Sequence, residues 1–361
     1  MLESNDCSII DLGVSRISEF RRGGGVSDNI NLVYCSDKIC LGPMVVSAIS
    51  AIKNLAAGKK ISLYLLYRDV PEADLKMLKQ FFRTKFNVEF VYRAVPAHLA
   101  NIFNNDCCPE KHISNAMFDR LFIHKLIPEI DCAIYLDADT VVTGDLNELY
   151  EIDLQGKCLG AMIEVPFEYD IKTVGYNAIR LLKLDIDTFY FNSGVLLLDL
   201  KKLRKINFIQ KCQEYFNKYQ ENIIWPDQDI LNGVLGKHTH FILPKFNAEV
   251  YDGAMAAADY RDFFDFYGKT LPYTKHEIYA AINVPVVLHF LGRAKPWIHP
   301  GKYSLHKEKY WQYYNLSPWQ DRNSMLVEKK LTLAVLNRKP QAYTINDFEN
   351  SQPFIAEYSA N

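Results

Sequence analysis

The chain reads as an α/β protein built on a mostly parallel central sheet flanked by helices, and three observations predict this. Short apolar segments rich in strand formers recur at residues 30–35, 61–67, 88–92 and 132–136. Segments with helical signals separate them, and strands that alternate with helices are joined by right-handed crossovers into parallel sheets. The fourth segment ends abruptly in two carboxylates, Asp137 and Asp139. Open α/β sheets place their ligands at such strand exits.

Taken in order, residues 1–28 form an irregular lead-in closed by the flexible run Arg21-Arg-Gly-Gly-Gly25. The first strand ends at Ser36-Asp37 and is followed by a mostly apolar helix over residues 41–56. After the second strand, Pro71 opens a helix in its favoured first turn. The spacing predicts a further helix over 114–127, with Ser114 as N-cap, leading into the strand before Asp137. Residues 158–163 and 191–199 read as two more strands, the second feeding a helix over 201–219. Pro226 fits a helix start, with Asp227 and Asp229 in its first turn. Residues 284–297 form the next strand-to-loop exit, carrying His289, Gly292 and Lys295. From 300 to 340, basic residues interleave with Tyr and Trp, and the last twenty residues are polar. The expected division is a lead-in (1–28), a catalytic domain (29–299) and a C-terminal helical and aromatic extension (300–361).

A chain of 361 residues with 49% hydrophobic and 23% charged residues can bury a sizeable core, so general disorder is not expected. A net charge of −2 excludes a chain-wide basic field for nucleic acid. Eight cysteines occur without zinc-type spacing, and Cys35, Cys132 and Cys158 lie in apolar runs as small buried hydrophobes. The N-terminus lacks a signal-peptide pattern, and no apolar run approaches the roughly 20 residues needed to span a bilayer. A reducing, cytoplasmic setting is expected.

The Asp-x-Asp pattern alone decides little, because it occurs at 137/139, 185/187 and 227/229. The apolar strand before the first copy singles it out, whereas Asp227 and Asp229 also read as ordinary helix-start acids. Asp137, Asp139 and His289 make a mixed oxygen and nitrogen donor set of the kind that takes Mn²⁺, and a hard cation of the Mn²⁺ or Mg²⁺ type suits a phosphate-bearing substrate. Lys295, after a loop containing Gly292, can meet a phosphate as a point charge. Ser36-Asp37, Asp137/Asp139, the Asp227-Gln228-Asp229 run and His289 with Gly292 and Lys295 are expected at the carboxyl edge of one sheet. The bland alternatives are a core histidine, a surface lysine and helix-capping acids; the combination favours a nucleoside-diphosphate site.

Leu136-Asp-Ala-Asp139, Phe191-Asn-Ser-Gly-Val-Leu196, Pro226-Asp-Gln-Asp-Ile-Leu-Asn232 and His289-Phe-Leu-Gly-Arg-Ala-Lys-Pro-Trp297 occur in the order seen in glycosyltransferase family 8. The chain most resembles its bacterial branch, the α-galactosyl- and α-glucosyltransferases of the lipopolysaccharide outer core, from about Asn29 to Trp319. The resemblance implies a Rossmann-like GT-A fold, a UDP-sugar donor, Mn²⁺ or Mg²⁺, and retention of anomeric configuration. By matched position it implies Asp137, Asp139 and His289 as metal ligands, with Gly292 and Lys295 on the diphosphate and Cys35 and Asp37 on the uridine. His112 and Arg120 match donor-pocket positions, and Asn192, Asp227 and Gln228 the donor sugar and reaction centre. Glu164 stands where relatives carry an acceptor-facing Asp, and Trp225 where they carry Tyr.

Retention by double displacement would use Asp227 or Asp229 as nucleophile, while front-face substitution would use Gln228 to stabilise an oxocarbenium-like state. A lipid-linked glycan acceptor would keep the enzyme at an anionic inner-membrane surface, for which residues 300–340 have a suitable composition; equally, their Tyr and Trp can pack a C-terminal helical subdomain onto the core with Lys outward. Two other readings are open. Tyr135-Leu-Asp-Ala-Asp-Thr140 also fits the first motif of haloacid-dehalogenase-like phosphatases, although that motif normally opens its domain and three strand–helix units precede it here. A non-catalytic sugar-nucleotide-binding protein would be expected to have lost a metal ligand or the Asp-Gln-Asp run.

Overall fold

The computed structural model describes residues 28–103, 114–164, 181–184, 189–251, 254–255, 273–292, 295–297 and 306–319. His112, Asp185 and Asp187 lie outside them, as do residues 1–27 of the lead-in and most of the 300–340 segment.

The first four predicted strands form in order: β1 (Asn29–Ser36), β2 (Lys60–Tyr67), β3 (Glu89–Ala94) and β4 (Cys132–Leu136). All pair in parallel, β1 lying between β2 and β4. β1 and β2 are buried on both faces, which is why they read as apolar runs rather than alternating ones. Between them, α1 (Leu41–Lys53) is buried almost all round because it packs on β1 and two later elements. α2 (Glu72–Phe86) is amphipathic, burying Leu75, Leu78 and Phe82 at helical spacing, and ends on Asn87 in the left-handed region. Pro71 sits at its N-cap, one position outside the expected first turn.

The predicted helix at 114–127 is instead a 3₁₀ helix (Asn115–Phe122) followed by one α turn (Ile123–Leu126), capped by the Ser114 hydroxyl as expected. Beyond β4 the sheet changes direction. Its order is β3-β2-β1-β4-β7-β6-β8, with β6 (Leu159–Ala161), β7 (Val195–Asp199) and β8 (Thr239–Phe241). β7 is antiparallel to both β4 and β6, while β6 pairs in parallel with β8. The sheet is therefore mixed and mostly parallel. Because β7 is reversed, the segment before it, 192–194, reaches the same edge as the exit of β4.

A second sheet was not expected. It comprises β5 (Thr140–Val142), β9 (Ala248–Tyr251), β10 (Ala254–Met255) and β11 (Val287–Leu291) in the order β10-β9-β11-β5. The placement of His289 at the exit of the main sheet is thus corrected: it lies inside β11, opposite Thr140 of β5. The chain turns tightly after Asp137, where the Thr140 amide and hydroxyl both donate to the Asp137 carbonyl. The strand formers that follow then pair across the sheets' junction instead of extending β4.

The helix expected over 201–219 is two, α3 (Leu200–Lys205) and α4 (Phe208–Tyr219), broken by Asn207 at φ +52°. α5 (Pro226–Leu235) starts at Pro226 as expected. α6 (Lys275–Asn283) carries a capping box of Thr274 and Glu277. α7 (Lys307–Tyr314) packs on α1 and buries Tyr310, Trp311, Tyr313 and Tyr314 in the same core as β1 and β2.

Candidate active site at the junction of the two sheets

The exits of β1, β4, β6 and β8 and the entry of β7 meet at one edge, where β11 brings His289 across from the second sheet. The Asp137 amide donates to the Gly194 carbonyl at 2.8 Å, locking the β4 exit to the β7 entry. Asp137 Oδ1 accepts from the Tyr135 hydroxyl at 2.5 Å and from Arg120 Nη2 at 2.6 Å. The other arm of Arg120 donates to the Ser193 carbonyl at 2.8 Å and lies 3.0 Å from Asp227 Oδ2. A single buried guanidinium thus bridges Asp137 and Asp227, its Cζ 4.6 Å from the Tyr135 ring centre. Burial opposes the charge on Arg120, but these two carboxylates hold it firmly protonated. Burial raises the Asp227 carboxyl although Arg120 pulls the other way.

Asp137, Asp139 and His289 each offer a ligand atom, and the three atoms lie within 4.8 Å of one another. His289 Nε2 is 3.2 Å from Asp139 Oδ1 and 3.9 Å from Asp137 Oδ2. His289 Nδ1 lies 3.0 Å from Asn247 Oδ1, and since that oxygen can only accept, Nδ1 carries a hydrogen and Nε2 is turned toward the two aspartates. Asn247 in turn donates to Asn192 Oδ1 at 2.9 Å, and Asn192 donates to Glu164. The polarity of this side-chain chain is therefore set from Glu164 to His289. Lys295 Nζ contacts Asp139 Oδ2 at 2.5 Å and the Phe290 carbonyl. Burial alone would raise the Asp139 carboxyl, but Lys295 and then His289 hold it well below the usual carboxylate range. Two oxygens and an oriented imidazole nitrogen fit a Mn²⁺- or Mg²⁺-type ion.

The remaining predicted residues fall around this centre. Asp37 Oδ1 accepts from the amides of Ile39 and Cys40, closing the turn into α1. Cys35 is buried, its thiol pushed up by burial and then by the Asp119 charge. Gln228 Oε1 accepts from the Ser193 amide at 2.8 Å, tying the start of α5 to the β7 entry. Gly292 follows β11 at φ +69°, a conformation that suits glycine. Trp225 is 40% exposed at the N-cap of α5. Asp229 is turned inward: its oxygens accept from the Tyr190 hydroxyl and the amides of Ile224 and Trp225, so it anchors the chain entering α5. Burial pushes its carboxyl up to about 6.

Several residues of the site carry no mark of their role in the sequence. Asn247 is an ordinary residue until the pairing is known, and Tyr135 and Ser193, although inside marked motifs, give no sign there of the bonds they make. Cys40 belongs here too, its thiol pushed up to about 12 by burial and then by Asp37, Asp139 and Asp137. Gly194 stood in a quoted motif, and its reason is steric: a Cβ there would lie 2.1 Å from His289 Cε1. Glu249 pairs in register with His289, is 2% exposed, and neither carboxyl oxygen has a hydrogen-bond partner among the described residues.

Comparison with known proteins bears on the same residues. A putative glycosyltransferase of Haemophilus influenzae is 29% identical over 285 residues, covering 75% of this chain and 74% of the relative. General stress protein A of Bacillus subtilis is 24% identical, covering 80% and 94%. A lipopolysaccharide 1,2-glucosyltransferase of Escherichia coli K12 is 29% identical over 224 residues, covering 60% and 59%. The fold is similar to that of the galactosyltransferase LgtC, solved with donor and acceptor sugar analogues, with a TM-score of 0.66 at 23% identity over 81% of this chain and 99% of that one. The Asp-x-Asp motif is thus set in a GT-A-like fold, not a phosphatase domain. The model of glycosyl transferase family 8 matches residues 31–300, a span that holds the whole candidate site, and the chain belongs to that family.

Proposed function

We propose that this chain is a retaining hexosyltransferase that moves glucose or galactose from a UDP-sugar to a lipid-linked glycan, the lipopolysaccharide outer core. The observation that carries this reading is the convergence of Asp137, Asp139 and the oriented Nε2 of His289 within 4.8 Å, with Lys295 alongside. Those three residues would hold Mn²⁺ or Mg²⁺, which supplies neutralisation of the charge growing on the diphosphate leaving group. Lys295 would exchange its contact with Asp139 for the diphosphate, approached also by the backbone at Gly292. Cys35 and Asp37 would bound the uridine. Arg120 keeps Asp137 and Asp227 in place, Asn192 meets the hexose, and Glu164 and Trp225 face the acceptor.

The carboxylates favour front-face substitution. Asp229 has its oxygens taken by three donors, and Asp227 is ion-paired to Arg120 and bonded to the Ser193 hydroxyl. Neither is suited to attack the anomeric carbon. As the bond from that carbon to the phosphate oxygen breaks, its electron pair leaves with UDP. The acceptor oxygen bonds on the same face and gives its proton to the departing phosphate, with Gln228 stabilising the intervening charge.

An anionic membrane surface remains part of the proposal through the basic residues of 300–340, of which Lys307 and Lys309 lie among the described residues. The aromatics of α7 are turned to the core and would not serve as interfacial anchors. Calorimetry with UDP-glucose and UDP-galactose, with and without Mn²⁺, tests the donor assignment. Metal-dependent binding of one or both is expected; p-nitrophenyl phosphate turnover without UDP-sugar binding would overturn it.

A further inference from the structure

Apart from the ion pairs of the site, α1 presents a polar stripe to the second sheet. The helix is apolar up to Lys53 except for Ser47 and Ser50, and Asn54 is its C-cap, so these side chains fall at helical spacing on one side. They meet β5, the edge strand of the second sheet. Ser50 Oγ accepts from the Val142 amide at 2.8 Å, and Asn54 donates to the Val142 carbonyl at 3.0 Å. The stripe thus covers the strand edge with bonds that a further strand would otherwise supply.

Ser47 is the member of the stripe that bears on the carboxylates. Its Oγ lies 2.7 Å from Thr140 Oγ1 and 2.9 Å from the Tyr34 hydroxyl, and all of these residues are fully buried. The direction of this chain is fixed at its end. Thr140 gives its one hydroxyl hydrogen to the Asp137 carbonyl at 2.8 Å, and a carbonyl can only accept. Ser47 must therefore donate to Thr140, and Tyr34 to Ser47. The Thr140 amide reaches the same carbonyl at 3.3 Å, so the hydroxyl makes the shorter of the bonds that close the turn. The other backbone ties of the turn are the Asp137 amide on the Gly194 carbonyl and the Asp139 carbonyl, which accepts from the Phe290 amide at 2.9 Å.

We propose that the hydroxyls of Ser47 and Thr140 are positioning groups for the metal centre. They fix the Asp137 carbonyl, and with it the turn from which the Asp137 and Asp139 carboxylates approach His289. The inference rests on the metal-site reading above. A carboxylate swings with the backbone that carries it, and outer partners that hold a ligand in place are worth a large share of metal affinity. The competing account is packing, in which Thr140 matters for its methyl group and branched shape. Two substitutions separate the accounts. Thr140→Val keeps the shape and removes the hydroxyl, whereas Thr140→Ser keeps the hydroxyl and removes the methyl.

Binding of Mn²⁺ in the presence of UDP would be followed through the electron paramagnetic resonance signal of free Mn²⁺, with circular dichroism reporting the fold of each variant. Thr140→Val should weaken binding by about tenfold or more, while Thr140→Ser stays close to wild type. Ser47→Ala, which takes away only the donor to Thr140, should weaken it by a smaller factor, and it carries the test if the Val variant does not fold. Wild-type affinity in Thr140→Val or in Ser47→Ala, or a Ser variant as weak as the Val one, would overturn the inference alone. Failure of the wild-type chain to bind Mn²⁺ would sink the metal-site reading, and the inference with it.

Discussion

Between Gly194 and His289 there is no room for a methyl group. The expected Cβ position lies 2.1 Å from one imidazole atom and 2.8 Å from two others. Gly194→Ala should swing the ring off Asp139 and weaken Mn²⁺-dependent UDP binding by about tenfold to a hundredfold, the usual penalty for disturbing a ligand's support. Circular dichroism should stay unchanged, and metal affinity equal to wild type would refute the assigned geometry. Gln228 and Lys295 separate differently. Gln228→Ala should lower kcat strongly with little change in donor affinity, because its role falls at the transition state. Lys295→Ala should weaken UDP binding instead. If both variants merely raise KM, Gln228 has no part in the reaction centre.

Among elements, α7 shows composition leaving a role open. Its interleaved Lys, Tyr and Trp fit an interfacial segment or a face packed on the core, and the aromatics take the second course: Tyr310 is 1% exposed and packs against Trp297 with ring centroids 5.1 Å apart. Tyr313 accepts a 2.7 Å hydrogen bond from Asn54, which also bonds the Val142 carbonyl and so ties α7 to β5. The Tyr310 hydroxyl has no partner among the described residues. Tyr310→Phe should therefore be neutral or stabilise by up to about 1 kcal/mol, while Tyr310→Ala should destabilise by about 3–5 kcal/mol, both read from urea midpoints. A Phe variant markedly less stable than wild type would show that the hydroxyl is bonded after all. The parallel strands were legible because their apolar runs are long and separated by helical segments. The second sheet was not: Thr140-Val-Val142 and Ala254-Met255 are too short to show a period, and their partners lie far away in sequence. The break at Asn207 was hidden because a left-handed residue between two helical stretches leaves the apolar pattern nearly intact.

For the whole molecule, the site is assembled at an electrostatic cost that pH can reveal. Burial, and then nearby Glu164, raise the Glu249 carboxyl well above its ordinary 4.5. The folded chain then keeps a proton that the unfolded chain releases above about that value, so this group's contribution falls as pH rises from there toward the folded value. Glu249→Gln should have a Tm advantage over wild type that is absent below about pH 4.5 and grows as pH rises. Parallel Tm curves for the two proteins would contradict it. Local pattern was enough to establish an α/β chain, the strand that presents Asp137 and Asp139, the helix start at Pro226, and a family resemblance, because each rests on neighbours in sequence. Which groups meet was decided in three dimensions. His289 reaches the carboxylates from another sheet, Arg120 joins Asp137 to Asp227, and Asn247 orients the ring of His289. Asp229, equal to Asp227 in sequence, is consumed by backbone amides. The reach of His289 to Asp139 and of Arg120 to Asp227 depends on strand order and direction across more than a hundred residues, and no local periodicity encodes those.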